Sequence, residues 1–142
     1  MGVGTFSNDS AIDLTPIANA ETESSNIIST KRDDKAEIER VEKNVRSYFK
    51  DDPMLANIAW CESRFRHYDA DGNIHRGEVN NRDVGVMQIN ERFHLNQALK
   101  LDYDIYTLKG NMAYAKYLYD KEGTAPWNSS SKCWKKKEIA QK

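Results

Sequence analysis

The sequence has 142 residues, enough for one domain with a packed core, and 39% of them are hydrophobic while 30% are charged. With 22 acidic and 21 basic residues, the net charge of -1 argues against a protein that holds nucleic acid or an anionic membrane by charge alone. No window approaches the roughly 18 apolar residues of a membrane span, and the first residues lack the basic start and apolar stretch of a secretion signal.

Residues 1–30 are rich in Ser, Thr, Asn, Asp and Glu and show no sustained hydrophobic period, which predicts a disordered tail or linker. The remaining residues, 31–142, are expected to form one domain. Its first predicted helix covers about residues 31–50, where apolar residues fall on one face: Ile38, Val41, Val45, Tyr48 and Phe49.

A second helix is predicted after Asp52, which can cap the first free amides, and Pro53, which suits the first turn. Its apolar stripe consists of residues at positions i, i+3 and i+4, and the next position on that stripe is Glu62: Leu55, Ile58, Ala59, Glu62. A carboxyl group there should lose hydration, which raises its pKa and favours a general acid. Taken alone, such a glutamate is more often partly exposed or paired with a cation.

The stretch 66–82 contains an Asp71-Gly72 turn between residues able to form short strands, so a small hairpin is predicted there. Its acidic residues do not have the spacing of a calcium loop, and the three histidines lack metal-ligand spacing, so no metal or cofactor is expected. Two further helices are predicted, over 96–101 and from Thr107 to a stop at Gly123, followed by a solvated lysine-rich tail.

The two cysteines, Cys61 and Cys133, are too far apart for a Cys-x-x-Cys redox pair and too few for a zinc site. One long-range disulfide and two buried thiols both remain open at this point.

Glu62-Ser63, followed after the hairpin by Gly85-Val86-Met87-Gln88-Ile89-Asn90, resembles the paired motifs of the lytic transglycosylase SLT domain within the lysozyme-like superfamily. The resemblance covers roughly residues 52–134. Asn111-Met112 and Tyr117-Leu118 are similar to later positions of the same family.

This resemblance implies an α+β fold, mostly α, with a lysozyme-like helical domain and a small β-hairpin lobe. It implies a monomeric, extracellular or envelope glycosidase that cuts the β-1,4 bond between N-acetylmuramic acid and N-acetylglucosamine in peptidoglycan strands. Glu62 would be the catalytic acid and base, and the sugar would contact Ser63, Gly85, Val86, Met87, Gln88 and Asn90. A substrate outside the cytoplasm also favours the disulfide between Cys61 and Cys133.

The third family motif, Ala-Tyr-Asn-Ala-Gly, is replaced here by Ala125-Pro126-Trp127-Asn128-Ser129. Trp127 and Asn128 are expected at the substrate in place of Tyr-Asn, although an indole cannot copy a phenol hydroxyl. A simple core position is the alternative for Trp127.

Two reaction types are compatible with this pattern. A transglycosylase uses one glutamate twice and leaves a 1,6-anhydromuramic product, whereas hydrolytic glycosidases use two acids. Asp83 is placed like the second acid of animal-type lysozymes, so a muramidase that uses Glu62 and Asp83 is the alternative, with a turn or cap role for Asp83 also open. A wall-binding module without catalysis is a third hypothesis, against which the retention of Glu62 argues.

Overall fold

The computed structural model describes residues 34–141, so the tail predicted for residues 1–30 lies outside the described part of the chain. The compact unit that contains the motifs begins at Ala36. The described residues form helix α1 (34–48), the helices and strands of the motif region, and a C-terminal helical pair. In order, the remaining elements are α2 (Pro53–Ser63), β1 (Asp83–Val84), β2 (Ile89–Asn90), α3 (Glu91–Lys100), α4 (Leu108–Glu122), a 3-10 helix (Ala125–Ser130) and α5 (Ser131–Gln141).

Helices α1 and α2 pack their predicted apolar residues into the core. Val41 and Val45 of α1 and Leu55 and Ile58 of α2 are fully buried. Pro53 occupies the first turn of α2, but the side chain of Asp52 does not cap the helix. Its carboxylate instead lies 3.0 Å from the ammonium of Lys116, a distant partner that a local capping rule cannot anticipate.

The end of α2 is abrupt because two consecutive residues adopt left-handed backbone angles. Arg64 has φ 55° and Phe65 has φ 62°, a conformation that costs energy for residues with a Cβ. Burial of the Phe65 side chain helps to offset that cost. The chain therefore turns sharply just after Glu62 and Ser63.

The predicted hairpin exists as one isolated β-bridge between Tyr68 and Ile74, and a second bridge joins Arg76 to Val84 of β1. Its tip is closed by the Asp69 carboxylate, which accepts hydrogen bonds from the backbone amides of Asp71 and Asn73. The regular two-stranded antiparallel sheet is formed by the motif itself, with Asp83 opposite Asn90 and Val84 opposite Ile89. Among the described residues, then, the sheet lies closer to the motif than the sequence predicts.

Helix α3 begins at Glu91, earlier than predicted, because the Asn90 side chain caps it by accepting a hydrogen bond from the amide of Arg92. Helix α4 is confirmed at both ends. The hydroxyl of Thr107 accepts from the amide of Gly110, and Gly123 ends the helix with φ 64°.

The lysine-rich segment predicted as a solvated tail is instead helix α5. Cys133 of this helix is disulfide-bonded to Cys61 of α2, with 5.9 Å between the Cα atoms, so the pairing implied by the family resemblance is present. Trp134 is also buried. The described chain is thus mostly helical with one small antiparallel sheet, and it belongs to the α+β class.

None of the helices within residues 34–141 is long and apolar enough to cross a membrane.

Candidate functional site

Residues 84–88, here called the motif turn, connect the two strands and lie in the centre of the molecule. Val84, Val86 and Met87 are fully buried. A buried turn must find hydrogen-bond partners for its backbone groups, because water cannot reach them. In this protein the partners are mainly side chains from distant segments.

Two of these side chains belong to helices that precede and follow the motif turn in the sequence, Ser63 to α2 and Asn111 to α4. The amide oxygen of Asn111 accepts from the backbone amide of Met87 at 2.9 Å, while its nitrogen donates to the carbonyls of Val84 and Ile105. The hydroxyl of Ser63 lies 2.8 Å from the carbonyl oxygen of Val86, to which it can donate. Since both side chains are buried, they fix the turn from inside the fold.

His67 accepts a hydrogen bond from a third backbone group of the motif turn, the amide of Val86, and its imidazole must be neutral to accept it. Its Nδ1 accepts from the amide of Val86 at 3.1 Å, so the ring proton resides on Nε2, which lies 2.9 Å from the carbonyl of Tyr106. The ring is fully buried, and desolvation lowers its pKa below the usual histidine range. His67 is therefore a structural histidine.

Position 85 requires a glycine because the neighbouring side chains leave no space for a Cβ atom. The sequence analysis instead expects Gly85 to contact the sugar. Its φ is +75°, and a Cβ at this position would lie 2.5 Å from Nδ2 of Asn111 and 2.8 Å from Cε1 of His67. The close approach that glycine permits here is to the protein's own side chains. The structure thus gives Gly85 a packing role, and its contact with a sugar stays a prediction.

An open cleft of about 500 Å³ lies beside the motif turn. It is bounded by the end of α2, the rim loop (residues 77–80), strand β1 and the 3-10 helix, and its lining residues are Cys61, Glu62, Arg64, His75, Gly77, Glu78, Val79, Asn80, Asp83, Gln88 and Ser129. The structure therefore brings Glu62, Asp83 and Gln88 together, as the sequence predicts. The volume of the cleft lies in the range of small-ligand sites.

Glu62 is half-buried on the wall of this cleft. Burial raises the pKa of its carboxyl group, and the nearby negative charge of Asp83 acts in the same direction. Opposing both, the hydroxyl of Ser130 donates a hydrogen bond to Oε1 at 2.5 Å, which lowers the pKa. The net direction is upward, so the group retains its proton to a higher pH than an exposed glutamate does.

Asp83 precedes the motif turn and Gln88 ends it, and the side chain of each makes a hydrogen bond. Oδ1 of Asp83 accepts from the side-chain amide of Asn90 at 2.8 Å. Nε2 of Gln88 donates to the carbonyl of Gly85 at 2.9 Å, and Gln88 itself has a left-handed φ of 49°. Backbone strain in a residue that lines a cleft is typical of functional sites.

Arg64 forms part of the same wall. Its guanidinium lies 3.6 Å from the ring centroid of Trp60 and donates to the Trp60 carbonyl, so its side chain is fixed although it is exposed. On α5, the ammonium of Lys137 is also 3.6 Å from that centroid. Two cations at this distance over one ring fit only on opposite faces, so neither face of Trp60 is open to a sugar.

Several residues expected to contact the substrate have other roles. Ser63, Val86, Met87 and Trp127 are buried, and the Trp127 indole donates to the Met87 carbonyl at 2.9 Å. Of the other two, Asn90 caps α3 and bonds Asp83, while Asn128 is exposed and lies outside the set of residues that line the cleft. Gln88 lines the cleft, whereas Ser63, Val86, Met87, Asn90 and Trp127 support the structure around it.

Ser130 is the residue that the sequence did not indicate. It directly follows residues 125–129, where the chain departs from the third family motif, and it is one of three consecutive serines that the sequence does not distinguish. Its contact with Glu62 spans 68 positions, a distance over which spacing rules carry no information.

Within residues 34–141 no group of three or more His, Cys, Asp or Glu side chains is placed to hold a metal ion.

Comparison with protein families, curated proteins and solved structures finds no match for this chain.

Proposed function

We propose that this protein is a glycosidase of lysozyme-like fold that cleaves peptidoglycan strands, with Glu62 as its acid and base. The observation that carries the proposal is the half-buried Glu62 carboxyl, whose pKa is raised, on the wall of an open cleft that also presents Asp83 and Gln88. A protonated carboxyl beside a polar groove is what cleavage of a glycosidic bond requires. The motifs Glu62-Ser63 and Gly85 to Asn90 direct the choice of substrate to the wall polymer.

The reaction that we favour is lytic transglycosylation. Glu62 gives its proton to the oxygen that links C1 of N-acetylmuramic acid to the next sugar, and the C1–O bond breaks. The Glu62 carboxylate then accepts the proton of the 6-hydroxyl as O6 of the same muramic residue bonds to C1. No water is consumed, and Glu62 ends the cycle protonated, so one carboxyl group is sufficient.

The disulfide supports a site of action outside the cytoplasm, where peptidoglycan is found. Bonds of this kind form and persist in oxidising compartments. A loop closed over 72 positions stabilises the fold by roughly 4 kcal/mol in the chain-entropy treatment.

Hydrolysis by a muramidase is the second candidate, and one observation favours it. Asp83 lines the same cleft as Glu62 and is close enough for its charge to raise the pKa of that group. In that mechanism Asp83 stabilises or attacks the sugar cation, and a water molecule completes the reaction. The two candidates differ by one water in the product.

Mass spectrometry of the soluble products from purified peptidoglycan separates the two reactions. We expect muramic ends that carry a 1,6-anhydro ring, one water lighter than reducing ends, and an Asp83→Asn variant that loses little activity. Asparagine keeps an oxygen for the Asn90 amide, so the fold should tolerate the change. Asp71→Asn, at the exposed hairpin tip, is the matched control for loss of one carboxylate.

Reducing ends together with a loss of about 100-fold or more in Asp83→Asn would instead assign hydrolysis. Binding of peptidoglycan without any release of soluble fragments would leave a wall-binding module as the function.

A further inference from the structure

The Ser130 hydroxyl makes a short contact with the proposed acid. Its Oγ lies 2.5 Å from Oε1 of Glu62 and 3.1 Å from the carbonyl oxygen of Trp127. A hydroxyl has one hydrogen and can donate to only one acceptor at a time. The Trp127 carbonyl already accepts from the Trp134 indole at 3.0 Å, and the contact with Glu62 is the shorter one, so the hydrogen is directed to Glu62.

The position of Ser130 is fixed on both sides along the chain. On one side, the Trp127 indole is hydrogen-bonded to the carbonyl of Met87 in the motif turn. On the other side, Cys133 is joined to Cys61, the residue that precedes Glu62. These two ties bring the hydroxyl to the carboxyl group although the residues are far apart in sequence.

We infer that Ser130 is a positioning residue for Glu62, whose hydroxyl occupies Oε1 and thereby makes Oε2 the oxygen that carries the acid proton. The inference rests on the proposed role of Glu62 as the acid. An oxygen that accepts the Ser130 hydrogen is a poor place for the carboxyl proton, which therefore resides on the other oxygen.

The same hydrogen bond changes strength during the reaction. When Glu62 has given up its proton, the bond from Ser130 becomes charge-assisted and stronger. An interaction that strengthens as the carboxylate forms stabilises the transition state more than the ground state. This agrees with the direction in which Ser130 moves the pKa of Glu62, which is downward.

The other titratable groups that line the cleft with Glu62 are Arg64 at the end of α2, His75 and Glu78 on the hairpin side, and Asp83 on β1, while Lys137 of α5 lies over Trp60. Since the hydrogen bonds of Ser130 go to Glu62 and Trp127, we expect these groups to stay in place when Ser130 is changed. A comparison of variants at position 130 with the parent therefore isolates the hydroxyl.

The test is a titration of the Glu62 carboxyl by carbon-13 NMR in the full chain, with the signal assigned by its loss in Glu62→Gln. In Ser130→Ala we expect the pKa of Glu62 to rise by about one unit, because a hydrogen bond to the ionised form is lost. Ser130→Thr keeps a hydroxyl and should restore the parent titration. Ser131→Ala is the matched control, since the neighbouring serine does not bond Glu62.

Activity gives a second readout. On soluble wall fragments, Ser130→Ala should lose roughly tenfold in kcat with KM little changed, and its alkaline limb should move to higher pH. An unchanged Glu62 titration in a folded Ser130→Ala protein overturns the inference. If the titration shifts as expected while the parent releases no fragments, the positioning role stands and the proposed function fails.

Discussion

The motif turn, through Gln88, and the rim loop both line the cleft, but they differ in how their backbone is buried and bonded. Every backbone amide and carbonyl of Gly85, Val86 and Met87 has a hydrogen-bond partner inside the protein. In the rim loop, by contrast, Val79 is fully exposed. The difference shows that most of the motif by which the chain resembles a family is scaffold, whereas the surface that a ligand meets comes largely from outside it.

The largest expected effect is a loss of activity on substitution of Glu62, which lines the same cleft as the rim loop and Gln88 of the motif turn. Glu62→Gln keeps the shape and an acceptor for Ser130 but cannot exchange a proton, so we expect release of wall fragments to fall about 1,000-fold. Glu122→Gln at the exposed end of α4 is the control. Substantial residual activity in a clean preparation would remove Glu62 from its proposed role.

The same variant has an expected stability, with a sign set by the raised pKa of Glu62. The unfolded carboxyl ionises near pH 4.5, whereas the folded one ionises only at higher pH, so the ionised group makes the fold less stable as pH rises through that window. Glu62→Gln removes this cost. Thermal unfolding should therefore show that the Tm of Glu62→Gln rises relative to the Tm of the parent as the pH increases from 4 to 7. An opposite trend would contradict the raised pKa of Glu62.

A substitution within the scaffold should reduce stability instead of chemistry. Asn111→Ala leaves the amide of Met87 and the carbonyls of Val84 and Ile105 buried without their partner, which should cost about 3 to 5 kcal/mol of the free energy of unfolding. Denaturant unfolding measures this. Asn44→Ala, on the exposed face of α1, should change the free energy of unfolding by no more than about 0.5 kcal/mol. Equal effects of the two changes would mean that the turn does not depend on Asn111.

The smallest effect is a loss of stability in mild acid, caused by His67. Its folded pKa is lowered, so as pH falls below about 6.5 the unfolded chain takes up a proton that the folded one refuses. Nitrogen-15 NMR of the imidazoles should show His67 as the neutral Nε2–H form at pH 7. The pKa values of His75 and His94 are also lowered, so the loss of stability in acid should persist in the control variant His75→Gln. A protonated Nδ1 on His67 at pH 7 would contradict the assignment.

Local rules account for the parts of the fold that were predicted correctly. Pro53, Thr107 and Gly123 mark helix ends through contacts with their near neighbours, and the helical period placed Glu62 at the end of a buried stripe. The sequence analysis predicts neither the early start of α3 nor the helicity of α5. Helix α5 is a lysine-rich segment that is held by one disulfide and two buried tryptophan rings.

The sequence predicts that Glu62 and Asp83 belong to one site, but it does not predict which side chains surround them. Glu62, Asp83 and Gln88 do line one cleft. The family resemblance assigns Ser63, Val86 and Met87 to the sugar, but the direction of a side chain at a helix end or in a turn cannot be read from sequence. Ser130 was missed because its neighbour in space is remote in the chain.

The long reach of the bonds around the motif turn has a consequence for the order of assembly. The side chains of Ser63, His67, Asn111 and Trp127 that bond this turn lie 19 to 40 positions away, so closing these loops requires much of the chain to be present before the turn gains these hydrogen bonds. Trp127 and the Ser130 that contacts Glu62 come near the C-terminal end of the described residues. During synthesis, an emerging chain that has reached only α4 already contains Glu62, but not yet the indole that bonds the turn or the hydroxyl that contacts the Glu62 carboxyl group.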